Sequence, residues 1–283
     1  MQLSPDESNM GRLSDEHLQR ALQALRDAGF VVIEGVFDPS WVTTFRAAYN
    51  QQLERHIAPR GGLAGLNANA FGHNHIGMHL PLVPPFSDPQ VVANPIAVQI
   101  MAAALGDDLR CSFYHTNTAY PGSHYQPIHR DFGPLFGTEL TVPTPVTHVV
   151  LNIPLIDFTI ENGSTEVWPG THLLVDREAS DGSPERLAAR AEGLAALRTN
   201  MPAGSIVIRD LRLWHRGMPN TSQEIRTMLA LVYSRSWSAV ATLLDIPRAT
   251  WDAWPGTARQ IFRHNRIVAT GDDVEVPIGV AGL

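Results

Sequence analysis

The spacing of apolar residues changes along the chain, from a helical period in the first third to short extended runs afterwards. Between Ser14 and Gly29 the apolar positions follow the i, i+3, i+4, i+7 rule of an amphipathic helix: Leu18, Ala21, Leu22 and Leu25. Ser14 is suited to cap this helix and Gly29 to end it. The pattern therefore predicts a helix packed by one face, followed by a buried strand at Phe30–Ile33.

Two more helices are predicted where a capping residue stands directly before a proline. Asp38-Pro39 and Asn94-Pro95 each place the cap before a proline at the first helical position. The first of these helices ends at Gly61-Gly62 and the second near Leu105-Gly106. The stretch Ser183–Leu197, rich in Ala, Arg, Leu and Glu, predicts a further helix at the surface.

From Leu109 onward, short strand-like runs alternate with Pro- and Gly-rich turns. The runs cover residues 109–120, 147–157, 165–169, 204–214 and 226–237. Helices first and many short strands afterwards favour a double-stranded β-helix, a cupin-like jelly-roll, with helices packed outside. We expect one domain over residues 1–283, with residues 1–12 as a loose tail and residues 238–283 as a possible lid or edge cover.

Composition excludes several classes of function. The net charge of -7 provides no broad positive surface for nucleic acid, and no apolar run approaches the length of a membrane span. All 21 basic residues are arginine, which excludes Schiff-base chemistry on lysine. The single cysteine, Cys111, lies in a predicted strand and indicates a buried structural thiol. With no signal-peptide pattern at the N-terminus, we expect a cytoplasmic protein without a nucleic-acid or membrane partner.

The candidate chemistry centres on His129-Arg130-Asp131 and the later Trp214-His215-Arg216-Gly217. Two imidazoles and one carboxylate on one face of an octahedral metal leave three positions open for other ligands. A His-x-Asp triplet is weak evidence alone, because a histidine can cap a turn and an aspartate can cap a helix.

A second histidine group, His73, His75 and His79, lies among Gly, Asn and Pro residues. Its spacing matches no helix face, and no Cys or Asp ligand is nearby. These histidines are predicted to line a substrate entrance rather than to bind a second metal.

The order of five motifs carries the functional prediction. His129–Asp131 is followed by residues 161–172 (ENGSTEVWPGTH), by Pro202–Ser205, by Trp214–Gly217 and then by Arg226. In this order the chain resembles the phytanoyl-CoA hydroxylase-like family of iron(II)/2-oxoglutarate-dependent dioxygenases over about Gly29 to Trp237. The resemblance implies His129, Asp131 and His215 as iron ligands, with 2-oxoglutarate and O₂ as cosubstrates.

The resemblance also directs attention to the residues that hold 2-oxoglutarate. Its distal carboxylate needs a fixed cationic partner, and Arg226 can pair with it through two parallel hydrogen bonds. Thr165 is predicted to donate to the same carboxylate, and Gln126 and Asn152 to contact the keto-acid end. A surface role for Arg226, and structural hydrogen bonds for Gln126 and Asn152, are the alternatives.

The third residue of the His129-Arg130-Asp131 triplet indicates the type of reaction. Halogenases of this class have a small residue where this chain has Asp131, so the resemblance implies hydroxylation of an unactivated C–H bond. Desaturation, epimerisation, ring formation and oxidative deamination would use the same residues. A non-redox cupin-type metalloenzyme or a non-catalytic binding module of this fold also remains open.

A narrower resemblance concerns the substrate. Residues 121–124, 154–159 and 207–210 are similar to those of a family member that acts on an aminoglycoside antibiotic. We therefore expect a small-molecule substrate from specialised metabolism, such as an antibiotic intermediate. Residues 132–136 (FGPLF) are apolar here where that relative is more polar, which predicts a different substrate.

Other residues in and near these motifs are predicted to have structural roles, or have two alternative roles. Trp168, His172 and Trp214 are expected in the core or in turns rather than in catalysis. Polar residues just before the metal triplet could equally face substrate or satisfy the edge of the sheet: His115, Asn117, Tyr120 and His124.

Overall fold

The computed structural model describes residues 1–66, 72–136, 139–175, 183–238 and 243–269. Its helices in these ranges are α1 Pro5–Met10, α2 Asp15–Asp27, α3 Pro39–Ile57, α4 Gly62–Leu66, α5 Pro89–Val92, α6 Pro95–Leu105, α7 Pro184–Ala191, α8 Arg248–Ala253 and α9 Gly256–Phe262. The predicted caps are present. Ser14 accepts a hydrogen bond from the backbone of His17, Asp38 from Ser40, and Asn94 from Ala97.

The first twelve residues differ from the predicted loose tail. They form α1, with a capping box between Ser4 and Glu7, and the amino group of Met1 donates to the carbonyl of Val32 at 2.9 Å. Leu3 is buried in the main core. Glu7 also accepts hydrogen bonds from both the backbone and the hydroxyl of Ser14. These contacts fix the segment, and sequence reasoning missed them because a six-residue helix has no measurable apolar period.

The strands are β1 Phe30–Ile33, β2 His75–Ile76, β3 Arg110–Ala119, β4 His148–Pro154, β5 Glu166–Val167, β6 Leu197–Arg198, β7 Ile206–Asp210, β8 His215–Arg216, β9 Arg226–Ser234, β10 Asp245–Pro247 and β11 Arg266–Val268. Six of them form one antiparallel sheet in the order β1-β7-β4-β9-β3-β2. A smaller sheet has the order β6-β5-β8. This mostly antiparallel, helix-flanked arrangement confirms the predicted jelly-roll.

The register of the large sheet aligns side chains in rows on the face that turns towards the small sheet. In one row Phe30 pairs with Arg209, Arg209 with Val150, and Val150 with Val232. The row continues from Val232 to Phe113 on β3. Because alternate residues of a strand share a face, the next rows on this face hold Asn152, Ala230 and His115, then Met228 and Asn117, and finally Arg226.

The opposite face of the large sheet packs against the helices and forms the main core. Val149, Leu151 and Ile153 alternate with the residues above and are almost fully buried there. The described part of the predicted lid, residues 243–269, belongs to this core, with Trp254 and Phe262 buried in it. It therefore does not cover the other face, and residues 239–242 and 270–283 lie outside the described residues.

The predicted helix in Ser183–Leu197 is α7, which is shorter than the predicted segment. Its Leu187 is fully buried against Trp168 and Trp214, so the helix covers the outside of the small sheet. Among the described helices, none combines the length and hydropathy of a transmembrane span.

Candidate active site

His129, Asp131 and His215 converge on one point between the two sheets. The Nε2 atoms of His129 and His215 lie 3.7 and 3.6 Å from Oδ1 of Asp131, and all donor atoms lie within 4.8 Å of one another. Among the residues that the structure describes, this is the group of His, Cys, Asp and Glu side chains suited to hold a metal ion. Two imidazoles and one carboxylate are the donor set of non-haem iron(II) oxygenases.

Backbone pairing sets the positions of the two imidazoles. The N–H of each histidine donates to the carbonyl of the other, at 3.0 and 2.9 Å. The N–H of Asp131 then donates to the carbonyl of Leu211 at 2.9 Å, so the carboxylate is held by the turn that leads into β8. The His-x-Asp segment is thus fastened to the strand end carrying the second histidine, although the two are distant in sequence.

Hydrogen bonds at Nδ1 orient the imidazole rings. Nδ1 of His129 lies 2.8 Å from the carbonyl of Pro127, and Nδ1 of His215 lies 3.1 Å from that of Leu213. A carbonyl accepts, so the neutral ring carries its proton on Nδ1 and presents the Nε2 lone pair to the metal point. Arg209 Nη1 also lies 3.1 Å from Nδ1 of His215, but only the bond to Leu213 leaves Nε2 available as a ligand.

Arg209 secures the third ligand. Its Nη2 donates to Oδ2 of Asp131 at 2.7 Å, which leaves Oδ1 directed at the two histidines. Burial opposes the ionisation of Asp131, but His215, Arg209 and His129 together hold its pKa well below the ordinary value. Burial and the adjacent Arg209 likewise depress the pKa of His215, so both groups are in the protonation states that bind a metal.

Arg226 lies in the same cleft and is 1% exposed. Its guanidinium carbon lies 5.0 Å from the ring centroid of Phe158. No described residue hydrogen-bonds any of its three side-chain nitrogens. Burial, together with the positive charge of Arg198, lowers its pKa to about 10. A buried cation without a partner is costly, and a carboxylate that enters the cleft would compensate it.

The other predicted 2-oxoglutarate contacts, Thr165, Gln126 and Asn152, all line this cleft. Gln126 Oε1 accepts from the N–H of Gly217 at 2.9 Å. A Cβ at Gly217 would lie 2.5 Å from that oxygen, so a side chain there would displace the Gln126 amide from this contact. Asn152 donates to the carbonyl of Leu229 at 3.3 Å, which is the structural hydrogen bond expected as its alternative role.

The structure shows which of the polar residues before the metal triplet line the cleft. His115 and Asn117 line the cleft, and the buried Oδ1 of Asn117 has no partner among the described residues. Tyr120 and His124 are not among the lining residues. Three residues predicted to be structural are indeed buried: Trp168, His172 and Trp214.

The histidine group His73, His75 and His79 does not form a metal cluster in the described part of the chain. The ring of His73 packs at a tilt against that of His124, and Nε2 of His75 pairs with the carbonyl of His124 at 2.8 Å. His79 packs edge-on against His115. None of the three is among the cleft-lining residues, so their predicted place at a substrate entrance stays a prediction.

Sequence reasoning missed Arg209 and Phe158 as site residues. A signal for Arg209 was available, since it is an arginine at the end of the apolar run Ile206-Val207-Ile208, where its side chain shares a face with Val207. Phe158 had none, because its contact with Arg226 depends on how the loop after β4 folds back over β9.

Comparisons with known proteins agree with this geometry. The family model of phytanoyl-CoA dioxygenase matches residues 25–228. The chain belongs to the phytanoyl-CoA dioxygenase family. This confirms the resemblance found in the sequence.

Curated fungal dioxygenases are similar to parts of this chain. The dioxygenase af480 of Aspergillus fumigatus is 30% identical over 161 residues, 53% of this chain and 47% of af480. The iron/alpha-ketoglutarate-dependent dioxygenase ausO of Aspergillus calidoustus is 27% identical over 193 residues, 65% of this chain and 62% of ausO. The chain thus spans about half the length of af480 and somewhat more of ausO.

A solved structure with the same fold is the non-heme alpha ketoglutarate dependent carbocyclase SnoK from nogalamycin biosynthesis. It is 22% identical, with a TM-score of 0.58, and the match covers 79% of this chain and 85% of SnoK. At this identity the likeness supports the fold. The predicted cofactors, iron and 2-oxoglutarate, are those that the name of ausO gives, and the name of SnoK gives alpha ketoglutarate.

Proposed function

We propose that this protein is an iron(II)/2-oxoglutarate-dependent dioxygenase that hydroxylates an unactivated C–H bond of a small specialised metabolite. The observation that carries the proposal is one cleft containing both a His-Asp-His donor set and a buried arginine without a partner. A non-redox cupin-type metalloenzyme would need the donor set but not that arginine.

His129, Asp131 and His215 would hold the iron. Their donor atoms already face one another, and the hydrogen bonds to Pro127, Leu213 and Arg209 orient the three ligands (partners at 2.8, 3.1 and 2.7 Å). Three protein ligands leave three positions on an octahedral ion, enough for a bidentate cosubstrate and O₂. When bound, iron and 2-oxoglutarate supply the oxidant, with succinate and CO₂ as coproducts.

Arg226 would bind the distal carboxylate of 2-oxoglutarate, with Thr165 as a second donor. The guanidinium is enclosed and pre-oriented by its packing on Phe158, so little side-chain entropy is lost when the carboxylate arrives. Gln126 and Asn152 would contact the keto-acid end. The apolar walls of the cleft would exclude water from the reacting C–H bond.

Asp131 favours oxygenation over halogenation, because a carboxylate occupies the metal position that a halide would otherwise take. The same residues could also support desaturation, epimerisation, ring formation or oxidative deamination. Analysis of the product, by mass and by its NMR spectrum, distinguishes these outcomes from hydroxylation.

The test is substrate-dependent release of succinate from 2-oxoglutarate under air with iron(II). Amino sugars, nucleosides, peptides and polyketide-type metabolites form the screening panel, and His129→Ala is the negative control. We expect one class to stimulate succinate release in the wild type and none in the variant. Absence of 2-oxoglutarate binding by the iron-loaded wild type would contradict the proposal and favour the non-redox alternative.

A further inference from the structure

The cleft extends well beyond the space that 2-oxoglutarate needs. Arg226 lies at one end of β9, and Val232 lines the same cleft six residues further along the strand, about 20 Å away. A five-carbon diacid anchored at Arg226 is far shorter than this. The remaining length, up to the row that holds Arg209 and Val232, is therefore available to the substrate.

We call this part of the cleft the apolar end and define it by Phe113, Val150, Ala230 and Val232. The register places these four side chains next to one another on β3, β4 and β9. Phe132, the residue after the metal triplet, packs against the same cluster. Hydrocarbon and aromatic groups thus continue the row of Arg209, which holds the metal ligand Asp131.

None of the charged side chains among the described lining residues is available to pair with a substrate charge at the apolar end. Asp131 is the only carboxylate among them, and it is paired with Arg209 and directed at the metal point. The remaining cation, Arg226, lies at the opposite end of the cleft. A polycationic substrate would therefore find no counter-charge in this lining, and burying an unpaired ammonium group would be strongly unfavourable.

We propose that the apolar end binds a neutral, predominantly hydrocarbon portion of the substrate, so that the substrate is a neutral ring or chain compound and not a polycationic amino sugar. This inference rests on the proposed function, because the metal and 2-oxoglutarate define which end remains for substrate. It agrees with the expectation from the apolar residues 132–136 that the substrate differs from the aminoglycoside of the relative.

The state of the neighbouring histidine agrees with a neutral subsite. His115 follows Phe113 on the same face of β3, and burial with the nearby His79 lowers its pKa to about 3. It is therefore uncharged at neutral pH. His115 can therefore exchange hydrogen bonds with a substrate but brings no charge to the apolar end.

The test uses Nile red, a neutral polycyclic dye whose emission shifts to the blue in apolar sites, added to the iron-free protein. We expect binding with a blue shift, weakened about tenfold or more by Val232→Asp and several-fold by the isosteric Val232→Thr. Val142→Asp is the matched control, because Val142 is 62% exposed and does not line the cleft. It should change the dye affinity less than twofold.

Displacement of the bound dye by competing compounds identifies the chemical class of substrate that the apolar end accepts. Progesterone, a neutral tetracycle, should displace the dye, whereas kanamycin at the same concentration should not. The proposal is overturned if the dye does not bind, if Val232→Thr and Val232→Asp leave its affinity unchanged, or if kanamycin displaces it better than progesterone.

A separate titration with 2-oxoglutarate keeps the two proposals apart. The folded Val232→Thr variant should bind 2-oxoglutarate like the wild type. Loss of 2-oxoglutarate binding in the wild type would overturn the proposed function, whereas unchanged 2-oxoglutarate binding with no dye binding would overturn the apolar substrate site alone.

Discussion

Replacing Arg226 by methionine should have opposite effects on the free protein and on its complex with 2-oxoglutarate. The side chain is 1% exposed, and no described residue hydrogen-bonds its nitrogens. Methionine keeps an unbranched apolar stem of adaptable shape but removes the charge. The free protein should become more stable, and the affinity for 2-oxoglutarate should collapse.

The magnitude follows from the lowered pKa. A fall from 12.5 to about 10 means that the charged form is disfavoured in the folded state at every pH below the folded value, neutral pH included. At 1.36 kcal/mol per pKa unit this penalty is about 3 kcal/mol. Loss of the packing on Phe158 offsets about 1 kcal/mol of the gain. The net gain of about 2 kcal/mol corresponds to a rise in Tm of about 4–8 °C.

The expected loss of binding free energy for 2-oxoglutarate is at least as large as this gain in stability. Removing one partner of a buried, hydrogen-bonded charge pair costs about 2–5 kcal/mol, which raises the Kd for 2-oxoglutarate by about 30- to 5000-fold. Calorimetric titration of the metal-loaded protein measures the Kd, and differential scanning calorimetry without 2-oxoglutarate measures the Tm.

Arg235→Met is the matched control. Arg235 directly follows β9, but its guanidinium donates to the carbonyls of Val146 and Ala104, outside the cleft. This variant should lose stability and keep its 2-oxoglutarate affinity. A Kd within threefold of wild type for Arg226→Met would refute the assignment of Arg226. If Arg226→Met lowers the Tm as much as Arg235→Met does, the argument that the buried charge of Arg226 is uncompensated is refuted.

Three further predictions concern the metal site and pH. His129→Ala should abolish tight binding of iron(II), measured by anaerobic calorimetry, because one of three ligands is lost. Arg209→Leu should weaken iron(II) binding about 10- to 100-fold, because Asp131 loses the donor that orients it; Arg209→Lys should restore part of the affinity. The free energy of unfolding should fall as pH decreases from about 6.5 to about 4, because burial lowers the pKa of His75 to about 4 and the unfolded chain binds the proton first. Urea titrations across this range measure it.

Each of these predictions has a result that contradicts it. Equal iron affinity in His129→Ala and in the exposed-site control His264→Ala would exclude His129 as a ligand. If Arg209→Leu binds iron like wild type, the hydrogen bond to Asp131 has no positioning role. If the pH dependence of unfolding is the same in His75→Gln as in the wild type, the buried imidazole of His75 does not cause it.

The sequence by itself determined the local structure and the chemical class. The capped starts of α2, α3 and α6 and the strand runs were predicted because caps, prolines and apolar periods act over a few neighbouring residues. The order of the five motifs between His129 and Arg226 indicated the family, because the order of motifs along the chain can be read without knowing how the strands pair.

Only the tertiary structure decided what surrounds those residues. Arg209 reaches Asp131 across 78 residues of sequence, and the isolation of Arg226 depends on its position in the strand register and on Phe158. The apolar end arises where β3, β4 and β9 align Phe113, Val150 and Val232 in one row. A one-residue change of register would turn each of these side chains to the other face of the sheet, and the local sequence does not fix the register of distant strands.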